Sequence, residues 1–159
     1  MPPVPAPQLH RLLLALGLGL AACTTVSPRL EAYRALPPET RALYDRYHLF
    51  MTDDLEERFF AAKSDEARRA MVVEMHVEQK LARYPEATRD AIWSRQVLAG
   101  MDKEAVFYAT GKPTTIERPA KGEPGFGENE TWFYERGTGR EDFQVFIQRG
   151  VVQSVKKSR

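Results

Sequence analysis

Few side chains in this 159-residue chain could do chemistry, and their spacing decides what they could do. His76 stands in Glu74-Met75-His76-Val77-Glu78, residue types that suit a divalent metal. On a helix, however, Glu74 and Glu78 share one face and His76 points away from both, so three ligands cannot converge. The stretch is read as a solvated or interfacial helix face. His48, between Tyr47 and Leu49-Phe50, is read as a capping or partly buried histidine rather than a catalytic base. Cys23 is the only cysteine, so no intrachain disulfide can form, and no His or acid lies near it in sequence to activate its thiol. Gly122, Gly125 and Gly127 lack the Lys-Ser/Thr and the receiving helix of a phosphate-binding loop, and they read as a plain loop. Lys156, Lys157 and Arg159 could touch an anionic surface at ~1 kcal/mol per charge; they read first as a frayed end. No catalytic constellation, cofactor loop or metal site emerges, and a non-enzymatic protein is expected.

The elements that would position these groups fall into two regions. From residue 37 the pattern is helical: Pro37 and Pro38 suit a first turn, and Leu43, Tyr44 and Tyr47 recur at helical spacing. Thr52, followed by Asp53 and Asp54, caps a second helix through Leu55, Phe59 and Phe60. Ser64 caps a third, longer helix, whose stripe Val73, Val77, Leu81 and Tyr84 predicts a buried face up to the stop at Pro85. A fourth spans about 87–97. Gly100 permits a sharp turn into a short helix over 103–110 with Met101 and Val106 on its core face, and Gly111 and Pro113 end that helix. Strand signals follow: 114–118 is extended, 119–130 is a loop, and Thr131-Trp132-Phe133-Tyr134 is aromatic and β-prone. Gly137-Thr138-Gly139 is a turn. Phe143, Val145 and Ile147 alternate with Gln144 and Gln148, and Arg149-Gly150 makes a hairpin into 151–155. Trp132 and Tyr134 share a strand face and can cover the short helix. The predicted class is α+β: a helical region, then a short helix packed on three or four antiparallel strands.

The apolar run 12–20, preceded by His10 and Arg11, leads into Leu20-Ala21-Ala22-Cys23, which resembles a bacterial lipoprotein signal peptide. The run is too short to span a bilayer as a stable helix. The resemblance implies cleavage before Cys23 and a diacylglyceryl thioether with an N-acyl group on that residue. Several acyl chains, at ~0.8 kcal/mol per buried methylene, would hold the protein firmly on a membrane. Thr24 is not the Asp that retains enteric lipoproteins at the inner membrane, so an outer-membrane site facing the periplasm is expected. The division is then 1–22 signal peptide, 23–36 polar tether, 37–96 helical region and 97–159 α+β domain. Of the 23 basic residues one, Arg11, lies in the leader, and none of the 22 acidic residues does, so the remainder balances to zero. With no basic block to track a phosphate backbone, nucleic acid is not expected as a partner.

Val97-Leu98-Ala99-Gly100-Met101-Asp102-Lys103-Glu104-Ala105-Val106, then Gly111-Lys112-Pro113, Trp132-Phe133-Tyr134, residues 143–147 and Gly150-Val151-Val152 together resemble the SmpA/OmlA domain. That family includes the small BamE lipoprotein of the outer-membrane β-barrel assembly machinery. The likeness covers about the last sixty residues and carries a fold more than a function, because one small helix-on-sheet module can serve different contacts. The resemblance implies a lipid-anchored interaction module for envelope proteins, barrel-assembly components among them. The helical region 37–96 departs from the family pattern. A second expectation, from a different class, is a binding or inhibitory module that takes a peptide, lipid or enzyme in the groove between the two regions. An exposed aromatic cluster at 132–134 would favour the latter.

Overall fold

The computed structural model describes residues 27–135 and 142–157. Cys23 with the apolar run before it, the expected Gly137-Thr138-Gly139 turn and Arg159 lie outside the described residues.

Five of the seven α-helices begin where a residue can satisfy, or dispense with, unpaired N–H groups of a first turn. Proline does this at the start of α1 (Pro28–Ala35) and α2 (Pro38–Tyr47), and Pro85 precedes α6 (Glu86–Trp93). The Thr52 hydroxyl accepts from Leu55 N at 3.2 Å to open α3 (Asp53–Ala61), and Ser64 accepts from Ala67 N at 3.2 Å to open α4 (Asp65–Glu74). A carboxylate oxygen of Asp102 accepts from Ala105 N at 2.7 Å at the head of α7 (Lys103–Thr110). Gly100, at φ +89°, makes the turn that brings Asp102 there. The expected tether is therefore helical from Pro28 onward. α1 buries none of its own side chains, but Leu36 just beyond it enters the core.

The long third helix is not continuous. It stops at Glu74, passes through Met75 and His76, the latter left-handed at φ +49°, and restarts as α5 (Val77–Leu81). Packing overrides the period here: the break lets Val72, Met75, Val77 and Leu81 all face one core, and it leaves Val73 71% exposed. Val73 is thus a correction to the expected stripe, whereas Val77, Leu81 and Tyr84 are buried. The fourth helix also ends early, at Trp93, because Arg95 adopts φ +60°.

After Gly111 come β1 (Thr115–Glu117), β2 (Asn129–Tyr134), β3 (Phe143–Gln148) and β4 (Val151–Lys157), all antiparallel in the order β1-β2-β3-β4. The sequence predicts β4 to end at 155; it continues through Lys156 and Lys157, so these lysines belong to a strand and not to a frayed end. Arg149 and Gly150, at φ +50° and +81°, form the two-residue hairpin turn that suits strand twist. α7 lies on one face of the sheet through Ala105, Val106 and Ala109, facing Trp132, Tyr134, Val145 and Ile147 in the core. The protein is α+β, with its helices N-terminal and its strands in the C-terminal part. One cluster of buried side chains, from Leu36 to Val152, joins helices and sheet. No helix among the described residues is long and apolar enough to cross a membrane.

Candidate functional site

Between α2 and α3 the chain makes a single 3-10 turn, His48–Phe50, and that turn builds the seam between helices and sheet. Phe50 is buried between two rings, stacking on Tyr108 of α7 at 4.8 Å and tilting against Trp93 of α6 at 5.5 Å. Leu49, beside it, meets the far end of α7. There Gly111 carries φ +81° and ψ −163°, a region open essentially to glycine alone, and a Cβ at this position would stand 3.1 Å from Leu49 Cδ2. Gly111 is thus required twice, for the turn and for the approach. Its carbonyl also accepts from the Tyr134 hydroxyl at 3.3 Å, which ties the turn to the sheet.

Where these elements meet they leave a shallow cleft of 420 Å³ lined by Leu49, Phe107, Gly111, Lys112, Pro113 and Ile116. Four of the six are apolar side chains, and Phe107 packs underneath on Trp132 at 4.8 Å. Lys112 reaches Asp53 across the rim at 3.4 Å, both ends being largely in water, where such a pair is worth little. The cleft offers an apolar floor and a charged rim. A larger hollow of 540 Å³ lies by the open face of the sheet, lined by Arg118, Glu130 and Phe146 among others. Of its two glutamates, Glu117 and Glu130, the second is already occupied: Glu130 accepts from Lys103 Nζ at 2.8 Å, Arg118 Nε at 3.1 Å and Trp132 Nε1 at 2.7 Å. Burial pushes the Glu130 carboxyl up, and those three donors outweigh it and hold the group below the usual carboxylate range.

Arg95 latches the seam. Its guanidinium donates to the carbonyls of Asp45 at 2.9 Å and Arg46 at 3.0 Å, at the end of α2, and to the Tyr108 carbonyl at 3.2 Å on α7. The carbonyls at a helix end otherwise lack partners. His48 caps the same end: its Nδ1 lies 3.2 Å from the Tyr44 carbonyl and 3.1 Å from that of Asp45, and both oxygens can only accept, so Nδ1 carries the proton. Its ring stacks on Tyr44 at 5.2 Å. Burial, and then the Arg95 charge, lowers the His48 pKa.

A second cluster of ionisable groups joins the loop after α5 to the head of α7. Arg83 pairs with Glu104 and donates to the Tyr84 hydroxyl at 2.7 Å, and the Tyr84 hydroxyl reaches Asp102 at 3.2 Å. Tyr108 donates to Glu104 at 2.5 Å; burial, followed by this bond, raises the Tyr108 pKa, and the same bond with that of Arg83 lowers Glu104. Each acid here has its donor, and both tyrosine hydroxyls are held in hydrogen bonds of their own.

The structure scatters the residues the sequence singles out over three roles. Met101, Val106, Trp132 and Tyr134 are core, with Trp132 2% and Tyr134 4% exposed, so these rings form no binding cluster. Gly100 makes the turn into α7, while Gly111 and Pro113 line the cleft. His76 is exposed at the helix break, and among the described residues no three His, Cys, Asp or Glu gather as metal ligands. Sequence reasoning misses Leu49, Phe107 and Ile116 as cleft residues and Arg95 as the latch. The apolar pair Leu49-Phe50 after a helix was a usable signal; Arg95 gave none. Comparison of the chain with protein-family models, with curated proteins and with solved structures finds no match.

Proposed function

We propose that this chain is a non-enzymatic, lipid-anchored module that docks envelope proteins through the seam cleft. The observation that carries this reading is the uncovered apolar floor of Leu49, Phe107, Pro113 and Ile116, where helices and sheet meet. In support stand the lipobox-like Leu20-Ala21-Ala22-Cys23 and the SmpA/OmlA-like order of short helix, Gly111-Lys112-Pro113, aromatic strand and hairpin in 97–159. On this reading the protein sits at the outer membrane, facing the periplasm, and its partners include barrel-assembly components. Cys23 is five residues before Pro28, a reach of at most ~18 Å, so α1 would be held close to the lipid surface.

The test is a crosslinked, detergent-solubilised pulldown of the tagged chain from envelopes, run beside Cys23→Ala and Ile116→Asp. Barrel-assembly components recovered with the parent and reduced at least tenfold in each variant, with the helical circular dichroism of Ile116→Asp unchanged, are the expected result. An unchanged partner set in all three forms would overturn the reading. A single soluble enzyme, lipid or peptide held equally by parent and Cys23→Ala, and lost from Ile116→Asp, would replace it with a binding or inhibitory module; the cleft's small volume is the observation that keeps this second reading open.

A further inference from the structure

α1 meets the rest of the molecule along one stripe. Arg29, Ala32, Tyr33 and Leu36 recur at i, i+3, i+4 and i+7, the spacing of a single helix face. Leu36, just past the last turn, is buried, but none of the eight helical residues is, and eight residues are too few to hold a helix alone. The centre of the stripe meets charge. Glu56 of α3, whose side chain is 9% exposed, receives the Arg29 guanidinium and the Tyr44 hydroxyl, both at Oε1. A carboxylate has room for further donors at its other oxygen. The Tyr33 hydroxyl donates to Asp45 of α2 at 3.0 Å, and its ring tilts against Tyr44 at 5.6 Å.

A buried carboxylate is costly without a cation, so Glu56 requires that something basic lie over it. Arg29 meets that need from a side chain that is itself 61% exposed. Beside Arg29 and Ala32 a hollow of 430 Å³ remains, bounded on α3 by Asp53, Glu56, Glu57 and Phe60. Three carboxylates and one aromatic ring thus face a single cation of α1, and Lys112 adds only a solvent-exposed contact to Asp53 at 3.4 Å. α1 matches the surface in its stripe and underfills it in charge and volume. We infer that the surface of α2 and α3 beneath α1 docks a basic amphipathic helix of a partner protein, with α1 as its resident occupant. The partner helix repeats the stripe: a cation over Glu56, a hydroxyl toward Asp45 and, in place of Ala32, a second Lys or Arg reaching toward Asp53 and Glu57. Once displaced, α1 loses the contacts that keep it helical. The surface adjoins the seam cleft at Asp53 but does not use the cleft's apolar floor.

The experiment titrates fluorescein-labelled peptides that copy residues 27–36, stapled across the exposed Glu31 and Ala35, against the full chain in detergent, and follows amide hydrogen exchange in α1. The peptide carrying Ala32→Arg is expected to bind at least tenfold more tightly than one carrying Arg29→Glu and Ala32→Glu, and to speed exchange at 31–36. In the chain, Arg29→Ala loosens the resident helix and tightens binding of the basic peptide about fivefold. Glu56→Gln weakens that binding at least tenfold. Glu57→Lys, an exposed change that leaves the buried carboxylate in place, weakens it about fivefold and carries the test if Glu56→Gln fails to fold. Ile116→Asp leaves binding unchanged, which separates this surface from the proposed cleft. Equal or absent binding of the two peptides, binding with α1 exchange unaltered, or full affinity in Glu57→Lys overturns the inference. A concentration-dependent dimer in which the copies trade α1 also overturns it and gives the surface to a second copy.

Discussion

At residue scale the seam depends on groups whose partners lie far along the chain. Arg95 serves carbonyls 49 and 50 residues earlier and one 13 residues later, so no local pattern can announce it. Gly111, by contrast, was legible, since a glycine before a proline at a helix end has few other uses. His48 lies between these cases: its capping role follows from its place after a helix, but its lowered pKa follows from burial and then from the Arg95 charge. The direction of pH dependence is fixed by that shift. The folded state takes up a proton on His48 less readily than the unfolded chain, whose histidine titrates near its usual 6.5. The stability this contributes is full above that value and is lost as pH falls through the lower folded pKa. Urea midpoints are expected to drop between about pH 7.5 and about pH 5 more in the parent than in His48→Gln; equal slopes would show that His48 does not report on the seam.

At element scale the caps and turns were readable because each is a local hydrogen-bonding problem: Thr52, Ser64 and Asp102 accept from the N–H three residues on. The break between α4 and α5 was not readable. Nothing in Met75-His76 forbids helix, and the apolar spacing even invites it, but a continuous helix cannot bring Val72, Met75, Val77 and Leu81 to one core. Packing thus holds a histidine left-handed, at a cost of roughly 1–2 kcal/mol for a residue with a Cβ. His76→Gly is expected to raise unfolding free energy by about 0.5–1 kcal/mol. His76→Val is expected to lower it by about 1–2 kcal/mol, since a β-branched side chain suits this region least. Chemical denaturation measures both, and an undisturbed valine variant would mean that the break carries no such strain.

At the scale of the whole molecule the two regions of the sequence share one core. α7 touches the sheet through Phe107, whose ring packs on Trp132, and the 3-10 turn after α2 through Tyr108, whose ring stacks on Phe50, so one helix ties the two parts into a single core. The two tryptophans report on both parts: Trp93 in α6, Trp132 in β2. In Trp93→Phe, urea unfolding followed by Trp132 fluorescence is expected to coincide with loss of helical circular dichroism. Separate midpoints would mean that helices and sheet unfold independently. By itself the sequence determined the α+β class, most helix starts, the hairpin, and Trp132 and Tyr134 as core, because propensity, capping and alternation act over a few residues. Only the tertiary structure decided where α4 breaks, that Arg95 latches the helix end that His48 caps, that Lys156 continues a strand, and that Leu49, Phe107 and Ile116 line one cleft. Those outcomes depend on contacts between segments tens of residues apart, where the core's demand for a shared apolar face outweighs the local preference of any one segment.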